Sequence, residues 1–275
     1  MIKLIRLRMF RPMKYDEPME ERHQSLINKF REVPAPFGLQ GIDESKLEKL
    51  KVRDVSIVWF KHPDTKKVIQ KYTYLYRTKD NESETKAYSN DKLFFEFEPW
   101  YDKINFADIW HIHFPKAIEI YEPRFADSSY AGYSTCYEEG YRYGEEPRKN
   151  ENGITYSIVP EYNALEATGV IPNGDFNIYT LQPVVYWNKA MCLDALGFDR
   201  DEVIRRLEGK VLHIRPLNDG VYIIFNDNPL LSFDDFLAIQ HTYKPLLGLS
   251  PQVPDKTESQ GRLKSWLGKL GSAFS

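Results

Sequence analysis

The hexamer Asp108-Ile109-Trp110-His111-Ile112-His113 carries the side chains best suited to metal chemistry in this chain. On a strand, side chains alternate between faces, so His111 and His113 are expected to point the same way. Two imidazoles so placed could hold Zn²⁺ or Cu²⁺, with Asp108 or Glu119 as a third ligand. The competing expectation is a partly buried strand: a His-X-His triplet also arises by chance, and His23, His62, His213 and His241 are scattered without a metal-like pattern. No metal ligand set is assigned. Nucleophilic chemistry finds no support either. The sequence has no Gly-X-Ser-X-Gly elbow and no Ser-X-X-Lys, and neither Cys136 nor Cys192 has the setting of a catalytic cysteine. It also lacks a phosphate loop and dinucleotide-binding glycines. No catalytic residue and no cofactor is expected, and the chain reads as a protein that is not an enzyme.

Binding is the chemistry that the run from Tyr130 to Glu146 offers instead. Tyr130, Tyr133, Tyr137, Tyr141 and Tyr143 alternate there with Glu138, Glu139, Glu145 and Glu146 and with three glycines. Tyrosine supplies large contact area at low entropic cost and is enriched at interface hot spots, while paired glutamates supply negative potential. These nine residues form the expected partner-binding surface. The competing expectation is ordinary packing of the tyrosines with solvated glutamates around them.

The charge pattern supports a protein partner more than a nucleic acid. Residues 1–79 hold 18 basic and 10 acidic side chains, a balance of +8, whereas residues 80–254 hold 15 and 28, a balance of −13. Residues 255–275 add +2, and the whole chain carries −3. Single-stranded nucleic acid calls for aromatics interleaved with Lys and Arg, but the aromatic-rich middle here is acidic. Such binding is confined by sequence to the basic N-terminal part. Local fields of this kind steer partners more than net charge does. There is no apolar run of about 20 residues to cross a bilayer. Basic residues interrupt the apolar positions of Met1–Lys14, so no secretory leader is read there. Two cysteines without Cys-X-X-Cys spacing suit the reducing cytoplasm.

The elements that must position these residues follow from periodicity and turn signals. A strand is expected over Ile2–Phe10 and a polar helix over Glu20–Arg31, ended by Pro34-Ala35-Pro36-Phe37-Gly38. A short capped helix is expected over Asp43–Leu50. Val55–Phe60 and Val68–Arg77 flank a His62-Pro63-Asp64 turn and read as a hairpin. Lys79–Asn90 reads as a loop, Leu93–Phe97 as a strand, and residues 107–122 as either strand or helix. A short helix follows at Tyr162–Ala167, stopped by Thr168-Gly169. After Asp235 a last helix ends at Pro245, and a flexible segment and an amphipathic patch, Arg262–Leu270, close the chain.

The most ordered stretch of the sequence runs from Leu181 to Asp235. It has a strand Leu181–Trp187, a short helix ending in Leu196-Gly197, and a second helix at Asp201–Leu207. Strands Val211–Pro216 and Val221–Phe225 then flank Asp219-Gly220, before Asn226-Asp227-Asn228-Pro229. The Asp199-Arg200-Asp201-Glu202 run sits at a helix start, where acidic residues favour capping and the helix dipole. This order, with Trp187, Leu196-Gly197, Gly220 and Pro229 as landmarks, resembles the C-terminal half of a family of bacterial immunity proteins. Those proteins are encoded beside type VI secretion effectors, notably effectors with a VRR-type nuclease domain. The family often has a second Gly after the Leu-Gly pair and a Gly-Asp after the Pro. Here Phe198 and Leu230–Asp235 stand in those places.

The expected fold is α+β, with antiparallel hairpins and several short helices. It is read as one domain over residues 1–250, divisible into halves of about 1–150 and 151–250, followed by a tail at 251–275. The resemblance implies an immunity protein that binds a cognate type VI effector, a nuclease, stoichiometrically and blocks its active site in the cytoplasm. It implies no direct nucleic-acid or membrane contact and leaves the oligomeric state open. Two other readings stay open at this point, a metal-dependent enzyme built on His111 and His113 and a scaffold that docks through its tail.

Overall fold

The computed structural model describes residues 4–12, 14, 16–47, 49–53, 55–60, 69–77, 90–99, 105–139, 142–145, 178 and 180–249. Among these, eight strands form one antiparallel sheet. They are β1 (Ile5–Pro12), β2 (Val55–Phe60), β3 (Ile69–Arg77), β4 (Asn90–Phe97), β5 (Phe125–Tyr130), β6 (Val184–Trp187), β7 (His213–Leu217) and β8 (Gly220–Ile224). The order across the sheet is β2-β3-β4-β1-β5-β6-β8-β7. The helices are α1 (Met19–Arg31), α2 (Phe106–Asp108), α3 (Phe114–Tyr121), α4 (Tyr133–Glu139), α5 (Lys189–Leu196), α6 (Arg200–Leu207) and α7 (Phe233–Tyr243). The fold is α+β, as its pattern of hairpins and short helices implies.

β1 explains how the two sides of the sheet differ. Its Ile5, Leu7 and Met9 are fully buried and alternate with Arg6 and Arg8. Period-two alternation therefore sends the apolar set to one face and the arginines to the other. Residues opposite one another in an antiparallel ladder share a face, so register extends that division across the strands. Leu93, Met9, Ala126, Tyr186 and Tyr222 fall in one row of the first face. Against that face pack Phe30 of α1 and Phe37 of the following loop, both on Phe95, and Trp110, which meets Phe97. Phe114 of α3 meets Tyr222 edge-on. A buried ion pair, Arg22 to Asp91 at 3.0 Å, ties α1 to β4 from the same side.

Several expected elements are present with altered bounds, and one differs in kind. The expected helix at Asp43–Leu50 is one 3₁₀ turn, Glu44–Lys46; Asp43 caps it through the Ser45 amide, but Leu47 is already extended. The 107–122 segment is helical as far as Tyr121, because Ile109, Trp110, Phe114, Ala117, Ile118 and Tyr121 are buried at helical spacing. The Tyr130–Tyr143 stretch divides into the end of β5 and helix α4. The 55–77 hairpin is formed by β2 and β3, with Val58 opposite Tyr74. The 150 junction lies in sequence between β5 and β6, which are neighbours in the one sheet, Phe125 facing Trp187 and Asp127 facing Val185. The expected turn at 62–64, the Tyr162–Ala167 helix and the 251–275 tail lie outside the described residues, as does the Lys79–Asn90 loop apart from Asn90, which opens β4.

Candidate functional site

Three of the tyrosines expected to meet a partner, Tyr130, Tyr133 and Tyr137, turn inward. Tyr130, at the end of β5, is 1% exposed, and its hydroxyl donates to the Asn228 carbonyl at 2.9 Å. Tyr133 of α4 donates to the Leu231 carbonyl at 2.8 Å. The Tyr137 hydroxyl accepts from Lys244 Nζ at 3.2 Å. Positions 130, 133 and 137 recur at near-helical spacing, and α7 lays Phe233 and Phe236 against them; Tyr133 meets those rings at 5.3 and 5.4 Å. Burial raises the phenol of Tyr130, and it pushes that of Tyr133 up to about 12. With at most 8% exposure, these three side chains anchor the 228–231 segment and α7 instead of offering contact area. Tyr143 is half-buried against Tyr133 at 4.9 Å. Glu145 is exposed and accepts from the Arg142 amide at 3.1 Å. Glu138 and Glu139 end α4, with side chains outside the described ones, and Tyr141 and Glu146 lie outside the described residues.

The histidine pair also differs from expectation. Residues Ile109–His113 form a π-helical turn between α2 and α3, not a strand. Pro115 follows at once, and its ring would meet the His111 carbonyl in a regular α-helix; the wider turn relieves that clash. Consecutive side chains there diverge around the axis, so His111 and His113 separate. His113 packs edge-on to Phe37 at 6.1 Å, and burial lowers its pKa. His111 reaches His213 of β7, with ring centroids 5.4 Å apart. Burial lowers the pKa of His213, and the neighbouring His111 and Arg215 lower it further. Among the described residues no group of three His, Cys, Asp or Glu side chains could hold a metal ion.

The Leu181–Asp235 landmarks each have a physical task. Gly197 sits at φ 76° as the left-handed C-cap of α5, its amide donating to the Leu193 carbonyl at 3.0 Å. Asp199 caps α6 through the Glu202 amide at 2.9 Å. The half-buried Glu202 carboxyl is held down at about 2 by hydrogen bonds from Arg205 and Arg206. Gly220 opens β8 directly against the end of β6: a Cβ there would stand 2.1 Å from the Trp187 carbonyl oxygen and 2.6 Å from Asn188 Cα. Trp187 and Gly220 are therefore one feature, a close approach of two backbones. Asn226 and Asn228 then bracket Pro229 with side-chain oxygens that accept from the Asn228 and Leu230 amides, both at 2.9 Å.

The second face of the sheet changes character across its width. Over β6 and β8 it is apolar and closed, with Val185, Trp187, Val221 and Ile223 at most 3% exposed. Over β2, β4, β1 and β5 it carries Ile57 and Trp59, then Lys92, Phe94 and Glu96, then Arg6, Arg8 and Phe10, then Phe125 and Asp127. Arg6 binds Glu96 at 2.6 Å, and Arg8 grips Asp127 with two bonds of 2.7 and 2.8 Å. Phe10 stacks on Phe125 at 4.3 Å and meets Phe94 edge-on at 6.0 Å. Lys92 Nζ lies 5.3 Å from the Phe10 ring centre. The carboxylates are the inner members of these pairs: side-chain exposure is 44% for Arg6 against 7% for Glu96, and 29% for Arg8 against 10% for Asp127. Ile57 and Trp59 are 46% and 43% exposed at the sheet edge. The run Ile5-Arg6-Leu7-Arg8-Met9 carries the sequence signal for this face. Charge counts over long blocks average it away, because its cations and carboxylates come from three distant strands.

A cleft of about 320 Å³ lies between α1 and the 44–50 segment, with Glu20, His23, Gln24 and Arg31 on one wall and Glu44 and Leu47 on the other. Among the described residues no helix is long and apolar enough to cross a membrane. Neither protein-family models nor curated proteins match this chain. Among solved structures, a Pseudomonas aeruginosa protein described as a T6SS protein is similar, with TM-score 0.44 and 13% sequence identity, over 80% of this chain and 65% of its own.

Proposed function

We propose that this protein neutralises a toxin by stoichiometric binding, as the immunity partner of a type VI secretion effector of the nuclease class. The observation that supports this most is the Trp187–Gly220 contact. Two of the landmarks behind the resemblance to immunity proteins meet within one unit, where a side chain on residue 220 would enter the Trp187 carbonyl. The reading is of a protein that acts by contact and not by catalysis. A nuclease must present a positively charged cleft to hold phosphates. The −13 balance of residues 80–254 suits a protein that blocks such a cleft and excludes its substrate. Electrostatic attraction of this kind acts mainly on the association rate.

The test is co-expression with the product of the adjacent gene in the bacterial cytoplasm, scored by host survival and by co-purification. Rescue together with a stable one-to-one complex is the expected result. An association rate that falls steeply with added salt is the expected kinetic signature. A complex that forms at a salt-independent rate would remove the electrostatic part. Failure to protect or to bind would remove the whole reading.

A further inference from the structure

We propose that the open half-face built by β1, β2, β4 and β5 docks an acidic protein surface. In the toxin-binding reading, on which this inference rests, that surface is a patch on the effector outside its phosphate-binding cleft. The direction of the ion pairs is the first reason. Arg6 and Arg8 lie over Glu96 and Asp127, so an approaching partner meets guanidinium edges while the carboxylates are shielded beneath. Charge complementarity then calls for carboxylates on the partner. Each guanidinium is already held by its own carboxylate, so it loses little rotamer freedom when a second one arrives.

Trp59 is the second reason. Together with Ile57 it forms an exposed apolar edge on the same face of the sheet as the half-buried Phe94 and the arginines. Trp and Arg are the side chains most enriched where binding energy concentrates. Nucleic acid fits the same face less well. Phosphate affinity needs a continuous track of cations, whereas this face sets Arg6, Arg8 and Lys92 among aromatic side chains and carboxylates, and the chain as a whole carries −3. Size is the third reason. From β2 to β5 the sheet is five strands wide, β3 included, and strands about 4.8 Å apart and about 20 Å long span roughly 480 Å² of backbone. That is more than half of the ~800 Å² each partner gives to a standard interface. It leaves room for a second contact by the acidic part of the chain on the effector's cleft.

The full chain and its W59A and R6Q variants, each checked for native circular dichroism and cooperative unfolding, are titrated with the co-expressed product of the adjacent gene. Either substitution is expected to weaken the complex by about tenfold or more. Amide exchange on the unmodified complex supplies a readout independent of mutant folding, with protection expected at Ile57, Trp59 and Phe94. Folded variants that bind within about twofold of the parent, which is the range of a neutral surface change, would overturn the docking face and leave toxin binding standing. Unchanged exchange at those amides would do the same. Retention of a fluorescent oligothymidylate that W59A loses would assign the face to nucleic acid and overturn this proposal. Absence of any complex with the parent chain would remove both this proposal and the toxin-binding reading.

Discussion

Replacing Gly220 with alanine tests whether the β6–β8 contact is as tight as its geometry implies. The new methyl would stand 2.1 Å from the Trp187 carbonyl oxygen, and ordinary contact begins near 3.4 Å, a shortfall of about 1.3 Å. The obstructing atoms are backbone, so rotamer changes cannot clear them. β8 must move away from β6, where Trp187 faces Val221 in register. Overpacking costs about 1–3 kcal/mol, and weakening a pair of ladder hydrogen bonds adds about 1 kcal/mol each. A loss of about 3–5 kcal/mol follows, or roughly 10–15 °C in melting temperature for a chain of this size. Gly197→Ala is the matched control: its φ is 76°, nothing lies within 4 Å of the new carbon, and the left-handed backbone alone costs about 1 kcal/mol. Urea unfolding followed by tryptophan fluorescence gives both values. A G220A loss equal to or smaller than that of G197A would refute the steric reasoning.

Asp91→Ala should cost about 3–5 kcal/mol in the same assay, because it removes the carboxylate paired with the buried Arg22 guanidinium, whose side chain is 4% exposed; a loss below about 1 kcal/mol would contradict the burial of this pair. Burial lowers the pKa of His23, His113 and His213 in the folded state. All three therefore bind protons more readily when unfolded. Their contribution is fully present above pH 6.5, the ordinary histidine value, and is lost as pH falls through the lowered folded values. Unfolding titrations from pH 7.5 to 5.5 should show declining stability, with a shallower decline in His113→Asn; a flat profile would oppose the assignment. The Cys192 thiol, fully buried and pushed up to about 12 mainly by burial, should stay unreactive to Ellman's reagent at pH 8 until the chain unfolds.

Much of the architecture was legible from local rules, and the failures have identifiable causes. Strand β1, helix α1, the β2–β3 and β7–β8 hairpins and the Asp199 cap follow from alternation, periodicity and capping chemistry. The His111-Ile112-His113 triplet misled because period-two reasoning assumes a strand, whereas Asn105 caps a helix start through the Ala107 amide and Pro115 widens the helix that follows. The tyrosine run reads two ways for a different reason. Its composition suits an interface, but its spacing suits packing against Phe233 and Phe236, some hundred residues further along. The arginine face was hidden because Glu96 and Asp127 come from β4 and β5 while Arg6 and Arg8 come from β1. Only strand order brings those four residues together.

That strand order also sets a timetable for folding. β1 is the first strand made, yet it lies between β4 and β5, with Ile5 facing both Phe97 and Tyr130. Its neighbours are complete only about 85 and 118 residues after β1 ends, about 4–24 s later at ordinary elongation rates. During that interval Ile5, Leu7 and Met9 have no ladder to join, and the contacts they await are of high sequence separation, which slows folding. Nascent chains that stop before β5 lack one side of the central strand. Chains that stop between β5 and β6 can complete the arginine-bearing strands while the Trp187–Gly220 unit is still absent. The arginine-bearing face is thus complete before the β6–β8 unit is made.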